Sequence, residues 1–219
     1  MIEHHGIQQA IRDRLVTLSV VTTGAITLAS TASAYTRSTG SFVTDGFEPG
    51  MELTASGFGN AADGLAVVLT VTATVLTVDR VLPVTSAGAG RTLSVGLPSR
   101  RAWENVRFAA PTTAKPYVEE QYIPGPSARV TLGSGGDLEA TPMYQVQLHM
   151  PEGVGKAAIR RYLDALYDHF RPDTALTVGT DVLRVRGDVG PFSGQIQRST
   201  EGFVVAPLTI PFRLRTVNA

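Results

Sequence analysis

Between Thr141 and Arg171 the hydrophobic pattern changes period once, and the change predicts a strand followed by a helix. Tyr144, Val146 and Leu148 alternate with Gln145, Gln147 and His149, as in a half-buried strand with His149 on its polar side. Pro151 and Gly153 break that run. Ile159, Leu163, Leu166 and Phe170 then recur at three- and four-residue steps, the spacing of an amphipathic helix. Pro172 stops it, because the residue before a proline is pushed out of helical geometry. Strand, turn and helix make one packing unit that carries no chemistry of its own.

At the N-terminus Ile7, Ala10, Ile11 and Leu15 line one face of a short helix, with Arg12, Asp13 and Arg14 largely toward water. Leu15 to Ala34 is fairly apolar and ends in Ala32-Ser33-Ala34, the shape of a signal-peptide cleavage site. Glu3 and Asp13 upstream, and Thr17, Ser19, Thr22, Thr23 and Gly24 within the run, argue against that reading and against a bilayer span. Val20 to Leu28 reads instead as a strand crossing Thr23-Gly24.

From Val20 to Leu97 the chain is rich in Thr, Ser, Ala and Gly and has almost no helical periodicity. Short β runs recur at Met51–Ala55, Leu65–Val71, Val75–Val78 and Arg91–Val95, separated by turn signals such as Pro49-Gly50. A small barrel or sandwich is expected. After Pro98 the pattern changes again. Lys115 to Pro124 is strand-like, and a loop rich in Gly, Pro and Ser runs from Pro124 to Gly136 around Ala128-Arg129-Val130. Asp181–Arg186, Phe192–Arg198 and Phe203–Arg215 are further β candidates. Pro207 and Pro211 donate no ladder hydrogen bond, so the last run is expected at an edge or broken there. The fold class is α+β: a mixed or antiparallel sheet packed by two helices. It is formed by residues 1–19 and 98–219 and interrupted by a small all-β domain at 20–97.

Composition then narrows the role. Nineteen basic and nineteen acidic residues cancel among 219, so no global field recruits nucleic acid or an anionic membrane. The absence of cysteine removes disulfides, thiolate zinc sites and cysteine nucleophiles, and fits a cytoplasmic or virion protein.

Candidate chemistry is thin. Gly153-Val154-Gly155-Lys156 before a helix resembles a phosphate loop, but Met150 replaces its first glycine and Ala157 its Ser or Thr, so a flexed turn is expected. His4 and His5 are adjacent and make a poor metal pair. His149 and His169 have no ligand cluster in sequence; His169 near a helix C-terminus would complement the dipole. Ser127 and Ser134 lack a nucleophile-elbow pattern. Asp164 and Asp168 lie one turn apart, but Arg160, Arg161 and Arg171 nearby suggest a solvated ion-pair face. No catalytic residue, metal site or cofactor is expected.

Two resemblances supply the rest. Gly46-Phe47, Pro49-Gly50-Met51, Ser56-Gly57-Phe58, Asn60-Ala61-Ala62 and Leu76-Thr77-Val78 resemble small β modules that recur in bacteriophage tail proteins. An N-terminal helix, Trp103-Glu104-Asn105, Pro116-Tyr117, Tyr144-Gln145-Val146, Gly153 with Gly155, and Phe170, in that order, are similar to bacteriophage tail terminator proteins. The second resemblance covers about residues 1–17 and 99–219, which makes the β module an insertion. It implies a structural virion protein rather than an enzyme. Such a protein forms a ring, usually a hexamer with heterologous contacts, that caps the tail tube, ends its polymerisation and offers a surface to the head.

The implied partners are further copies of the chain, the tail tube protein and a head-completion or connector protein. No membrane is involved, and contact with DNA passing through the ring is passive. The implied location is the head-proximal end of the tail, and the host cytoplasm during assembly. Candidate contact residues are Arg100, Arg101, Gly125, Arg129, Gly135 and Asp137, on or beside a loop whose flanking strand edges could add to a neighbour's sheet. Arg184, Arg186 and Arg198 would face a lumen, although a mixed outer surface explains them equally. A head–tail connector or another tail structural protein remains an alternative, as does a surface- or carbohydrate-binding role for the β module.

Overall fold

Six strands between Ile26 and Val95 close on themselves in the computed structural model, which describes residues 3–104, 106–111, 115–131 and 136–216. Helix α1 (His4–Val16) leads into β1 (Val21–Thr22), β2 (Ile26–Thr31), β3 (Ala34–Arg37), the single turn α2 (Phe42–Asp45), β4 (Glu52–Ser56), β5 (Gly64–Val71), β6 (Val75–Val78) and β7 (Thr85–Val95). Strand order β7-β2-β3-β6-β5-β4 returns to β7 through Thr54↔Ser94, so the barrel has no open edge. Leu28, Tyr35, Leu53, Val68, Leu76 and Leu93 are buried. The Tyr35 hydroxyl donates to the Ala62 carbonyl at 2.6 Å, and Arg80 reaches the same carbonyl at 2.8 Å, so the loop carrying Phe58 is tied down.

The sequence expectation of one strand from Val20 to Leu28 is corrected. Gly24 takes φ +66, which ends β1 and lets β2 begin at Ile26. Strand β3 and the first half of β7 carry too little apolar alternation to be read in advance: the sequence of β7 begins Thr-Ser-Ala-Gly-Ala-Gly.

The second sheet is built from β8 (Arg101–Trp103), β9 (Tyr117–Ile123), β10 (Ser127–Arg129), β11 (Leu138–Ala140), β12 (Met143–Pro151) and, after α3 (Ala157–His169), β13 (Ala175–Val178), β14 (Asp181–Val185), β15 (Phe192–Ser193), β16 (Gln197–Arg198) and β17 (Phe203–Thr216). Its main path is β10-β11-β17-β12-β9-β8, and β14, β15 and β16 also pair with β17. With 45% strand against 15% helix among the described residues, sheets set the frame of this mixed α and β chain.

Strand β17 is the hub of this sheet, which corrects its expected place at an edge. It pairs with β12 over the whole run Met143↔Pro211 to Pro151↔Phe203. The prolines fit because a strand residue points its N–H and C=O to the same side. Pro207 O accepts from Gly194 N at 3.0 Å, so its missing donor faces the gap between β15 and β16. Pro211 O accepts from Arg186 N at 2.9 Å, just past the end of β14. Both prolines therefore face seams between short partners.

The alternation in β12 splits the sheet into two faces. Tyr144, Val146 and Leu148 are buried, together with Val118 of β9 and Leu208, Ile210, Phe212 and Leu214 of β17. Ile7, Ile11 and Leu15 of α1 and Ile159, Tyr162, Leu163 and Leu166 of α3 belong to the same apolar cluster. Phe170, just after α3, meets Phe212 edge-on with ring centroids 6.2 Å apart. The other face carries Gln145 and Gln147, half-buried.

Candidate assembly interface

Rungs across the open face of the second sheet are Tyr117–His149–Val205, Glu119–Gln147–Pro207 and Gln121–Gln145–Thr209. Farther along β17, Arg213 lies opposite Arg184 of β14, and Arg215 opposite both Glu139 of β11 and Val182 of β14. One face therefore runs from carboxylates and aromatics, through glutamine, to arginine.

At the first end a groove of about 520 Å³ is lined by Trp103, Val106, Phe108, Glu104, Glu119 and Glu201, among others. Its floor is an aromatic stack. The Tyr117 ring lies on His149 with centroids 4.1 Å apart and planes 16° apart, while Phe108 and Phe203 approach Tyr117 at 5.2 and 5.1 Å. His149 is 7% exposed, which corrects its expected place on a wet strand face. Its Nε2 is 3.5 Å from Glu119 Oε2, and neither ring nitrogen has a hydrogen-bond partner among the described residues. Burial lowers the His149 pKa despite the opposing pull of Glu119 and Glu201. Burial, reinforced by Glu119 and Glu201, pushes the Tyr117 hydroxyl up to about 12.

Behind the groove lies a buried polar link to α1. The Tyr144 hydroxyl donates to Glu120 Oε2 at 2.5 Å, and Arg101 Nη1 stands 3.4 Å from Glu120 Oε1. The Arg12 guanidinium lies over Trp103, and His4 Nδ1 meets the Tyr122 hydroxyl at 2.8 Å. Arg12 and Arg14 are thus not solvent-facing, as their helix position alone suggested: Arg14 Nη2 donates to the His169 carbonyl at 3.1 Å.

At the second end Arg184 and Arg213 are exposed side by side. Clefts of about 410 Å³ each open beside them and share Glu139. Among the described residues neither arginine side chain forms a hydrogen bond or an ion pair, whereas Arg215 pairs with Asp137 at 2.8 Å and Arg186 with Asp188 at 2.5 Å.

A model of the phage tail terminator protein family matches residues 84–212, which take in the second sheet from β8 through Phe212. The chain belongs to the phage tail terminator family. It is accordingly a structural protein of the phage tail, located in the virion tail and in contact with other tail components. No curated protein matches. One solved structure is similar at 23% identity and TM-score 0.43, over 55% of this chain and 81% of that one, too slight a likeness to carry an argument.

The terminator's sequence-nominated residues scatter. Arg100 is exposed and its carbonyl accepts from Val118 N at 3.0 Å. Arg101 turns inward to Glu120. Gly125 is needed for close packing, since a Cβ there would stand 1.8 Å from the Thr141 carbonyl oxygen. Arg129 ends β10, a three-residue edge strand exposed throughout. Asp137 locks Arg215 beside β11, and Gly135, like Asn105 of the Trp103 motif, lies outside the described residues. Arg198 sits opposite Val204 at the far end of β17, pairing with Glu152 at 3.1 Å, so it does not join Arg184.

Arg213, Arg215, Glu119 and Glu201 escaped the sequence reading. Arg213 and Arg215 alternate with Phe212 and Leu214, a pattern that becomes legible once the run through the prolines is accepted as strand. Among the described residues no group of His, Asp or Glu could hold a metal ion. The Gly153-Val154-Gly155 turn is a bend, with both glycines at positive φ (+91 and +82). No ion pair joins Asp164 or Asp168 to a neighbour among the described residues; Arg161 lies instead against Gly46.

Proposed function

We propose that copies of this terminator close into a ring, six subunits with heterologous contacts, on the head-proximal end of the tail tube. One face of the ring docks on the last tube subunits and stops polymerisation, and the other receives the head or connector protein. The role is assembly rather than catalysis. Family membership carries this reading. The sheet supports it: one face is left open and polar, and the three-residue edge strands β8 and β10 offer backbone to a neighbour.

In this reading α1 and α3 cover the buried face of the large sheet, since their apolar residues share its core cluster. The barrel is an inserted domain at 20–97 within a discontinuous domain of 1–19 and 98–219. Arg100, Gly125, Arg129, Gly135 and Asp137, around the β10–β11 hairpin and the β8 edge, serve as contacts. Arg101 supports them from within, and Arg186 looks toward the lumen.

The test is a phage lacking this protein. Tails are expected to be overlong or unjoined to heads, with complementation restoring both. Tails of normal length joined to heads in its absence would overturn the reading.

A further inference from the structure

We propose that the aromatic–carboxylate groove at one end of the open sheet face is the socket for the Arg184–Arg213 pair of a second copy of this chain. The inference rests on the ring reading and names its subunit contact. Two independent observations point to it. Arg184 and Arg213 stand opposite each other on adjacent strands, exposed and without an ion pair among the described residues, a like-charge juxtaposition that disfavours the isolated sheet. Such a pair calls for an anionic partner, and the carboxylates nearest to hand do not meet the need. Asp137 and Asp188 are taken by Arg215 and Arg186, Asp181 accepts from the Thr216 hydroxyl at 3.1 Å, and Glu139 and Asp173, which also line the clefts, form no ion pair with either arginine among the described residues.

The groove presents the complement. Glu119 is half-exposed and Glu201 exposed at its rim, and Phe108 supplies a flat face on which a guanidinium group stacks, while Trp103 beside it already carries Arg12. Of the basic side chains behind the groove, Arg101 is already engaged by Glu120 and Arg12 lies over Trp103.

The two patches lie on one face at opposite ends of the strand order, the groove at β8–β9–β12 and the arginines at β17–β14. A patch cannot reach its complement within one chain, but the groove of one copy reaches the arginines of the next. Repeated, that contact is head-to-tail, the heterologous kind from which rings close.

The experiment uses the full-length chain with charge reversals at each patch: a stripe variant, Arg184→Glu with Arg213→Glu, and a groove variant, Glu119→Arg with Glu201→Arg. Glu201→Arg alone serves as a second groove variant, because Glu119 adjoins the buried His149. Circular dichroism and thermal melts establish that each variant is folded. Sedimentation velocity and negative-stain imaging, with and without purified tube ends, then read assembly. Wild type is expected to form rings, and each reversal to raise the concentration needed by roughly tenfold or more. Mixing the stripe and groove variants is expected to restore assembly, because each new carboxylate patch then faces a new arginine patch. Rings that form equally well from every variant would overturn this contact and leave the ring reading standing. Loss in both variants without rescue on mixing would overturn the pairing of these two patches. A wild-type chain that stays monomeric, even with tube ends present, would overturn the ring reading and this contact with it.

Discussion

The Arg12 guanidinium lies 3.8 Å from the centre of the Trp103 ring. This contact joins the first helix to the first strand after the barrel, so the chain leaves α1, builds a closed sheet and returns beside its starting point. Stacking at a half-buried site is worth about 1–2 kcal/mol. Arg12→Ala is expected to lower unfolding free energy by about that amount in urea titration. A double-mutant cycle with Trp103→Ala checks it: a coupling energy near zero would sink the idea.

Glu120 offers a sharper contrast. Its side chain is fully buried, holding the Tyr144 hydroxyl on one oxygen with Arg101 near the other. Glu120→Ala leaves a largely buried guanidinium and a buried hydroxyl without their partner, and is expected to cost about 3–5 kcal/mol. Tyr144→Phe removes only one hydrogen bond to a charged group, about 1.5–3 kcal/mol. Chemical denaturation of both variants decides the matter; equal or inverted losses would refute the assigned roles.

Acid sensitivity follows from one buried and one half-buried histidine, His149 and His169. Burial lowers the pKa of His149 and of His169 from 6.5, so both stay neutral in the folded protein where the unfolded chain already takes up protons. Their contribution to stability is complete above about pH 6.5 and is lost as pH falls from there through their folded values. His149→Phe keeps an aromatic ring against Tyr117 and removes one proton-binding site. Melting temperatures between about pH 7.5 and about pH 5.5 should fall less steeply in this variant than in wild type. An unchanged slope would contradict the burial of a neutral imidazole.

Gly125 is limited by space. A Cβ would lie 1.8 Å from the Thr141 carbonyl oxygen, which is backbone and cannot rotate away. Gly125→Ala should therefore push the β10–β11 hairpin off its base. Faster proteolysis or amide exchange between 126 and 141, with the barrel unaffected, is the expected result. Wild-type protection throughout that segment would show that the approach is not binding.

Local elements were legible wherever burial was one-sided. The alternation of Tyr144, Val146 and Leu148 marks β12, and the steps from Ile159 to Phe170 mark α3, because each presents a single apolar face to one core. Strand β6 was readable at its observed bounds, Val75–Val78, for the same reason. The front of β7 was not, since Thr, Ser, Ala and Gly carry no hydrophobic period. Its strand state comes from pairing with β2 across register shifts, a cost met by neighbours distant in sequence.

The candidate interface was less legible than the fold. Arg184 could be singled out from the chain alone, but its relation to Arg213 could not, because register across β14 and β17 depends on where two prolines are tolerated. That is decided by which sides of β17 its short partners leave open. His149 shows the same limit. Its alternation with Leu148 and Met150 placed it on the polar side of a strand, and only the stacking of Tyr117 and the approach of Phe203 made that side dry. The sequence alone determined periodicity, turns, charge balance and family likeness, all set by residues near one another along the chain. Closure of the barrel, the central place of β17 and the separation of the aromatic–carboxylate groove from the Arg184–Arg213 pair on one sheet face were decided by tertiary structure, since long-range pairing sets which side chains share a surface.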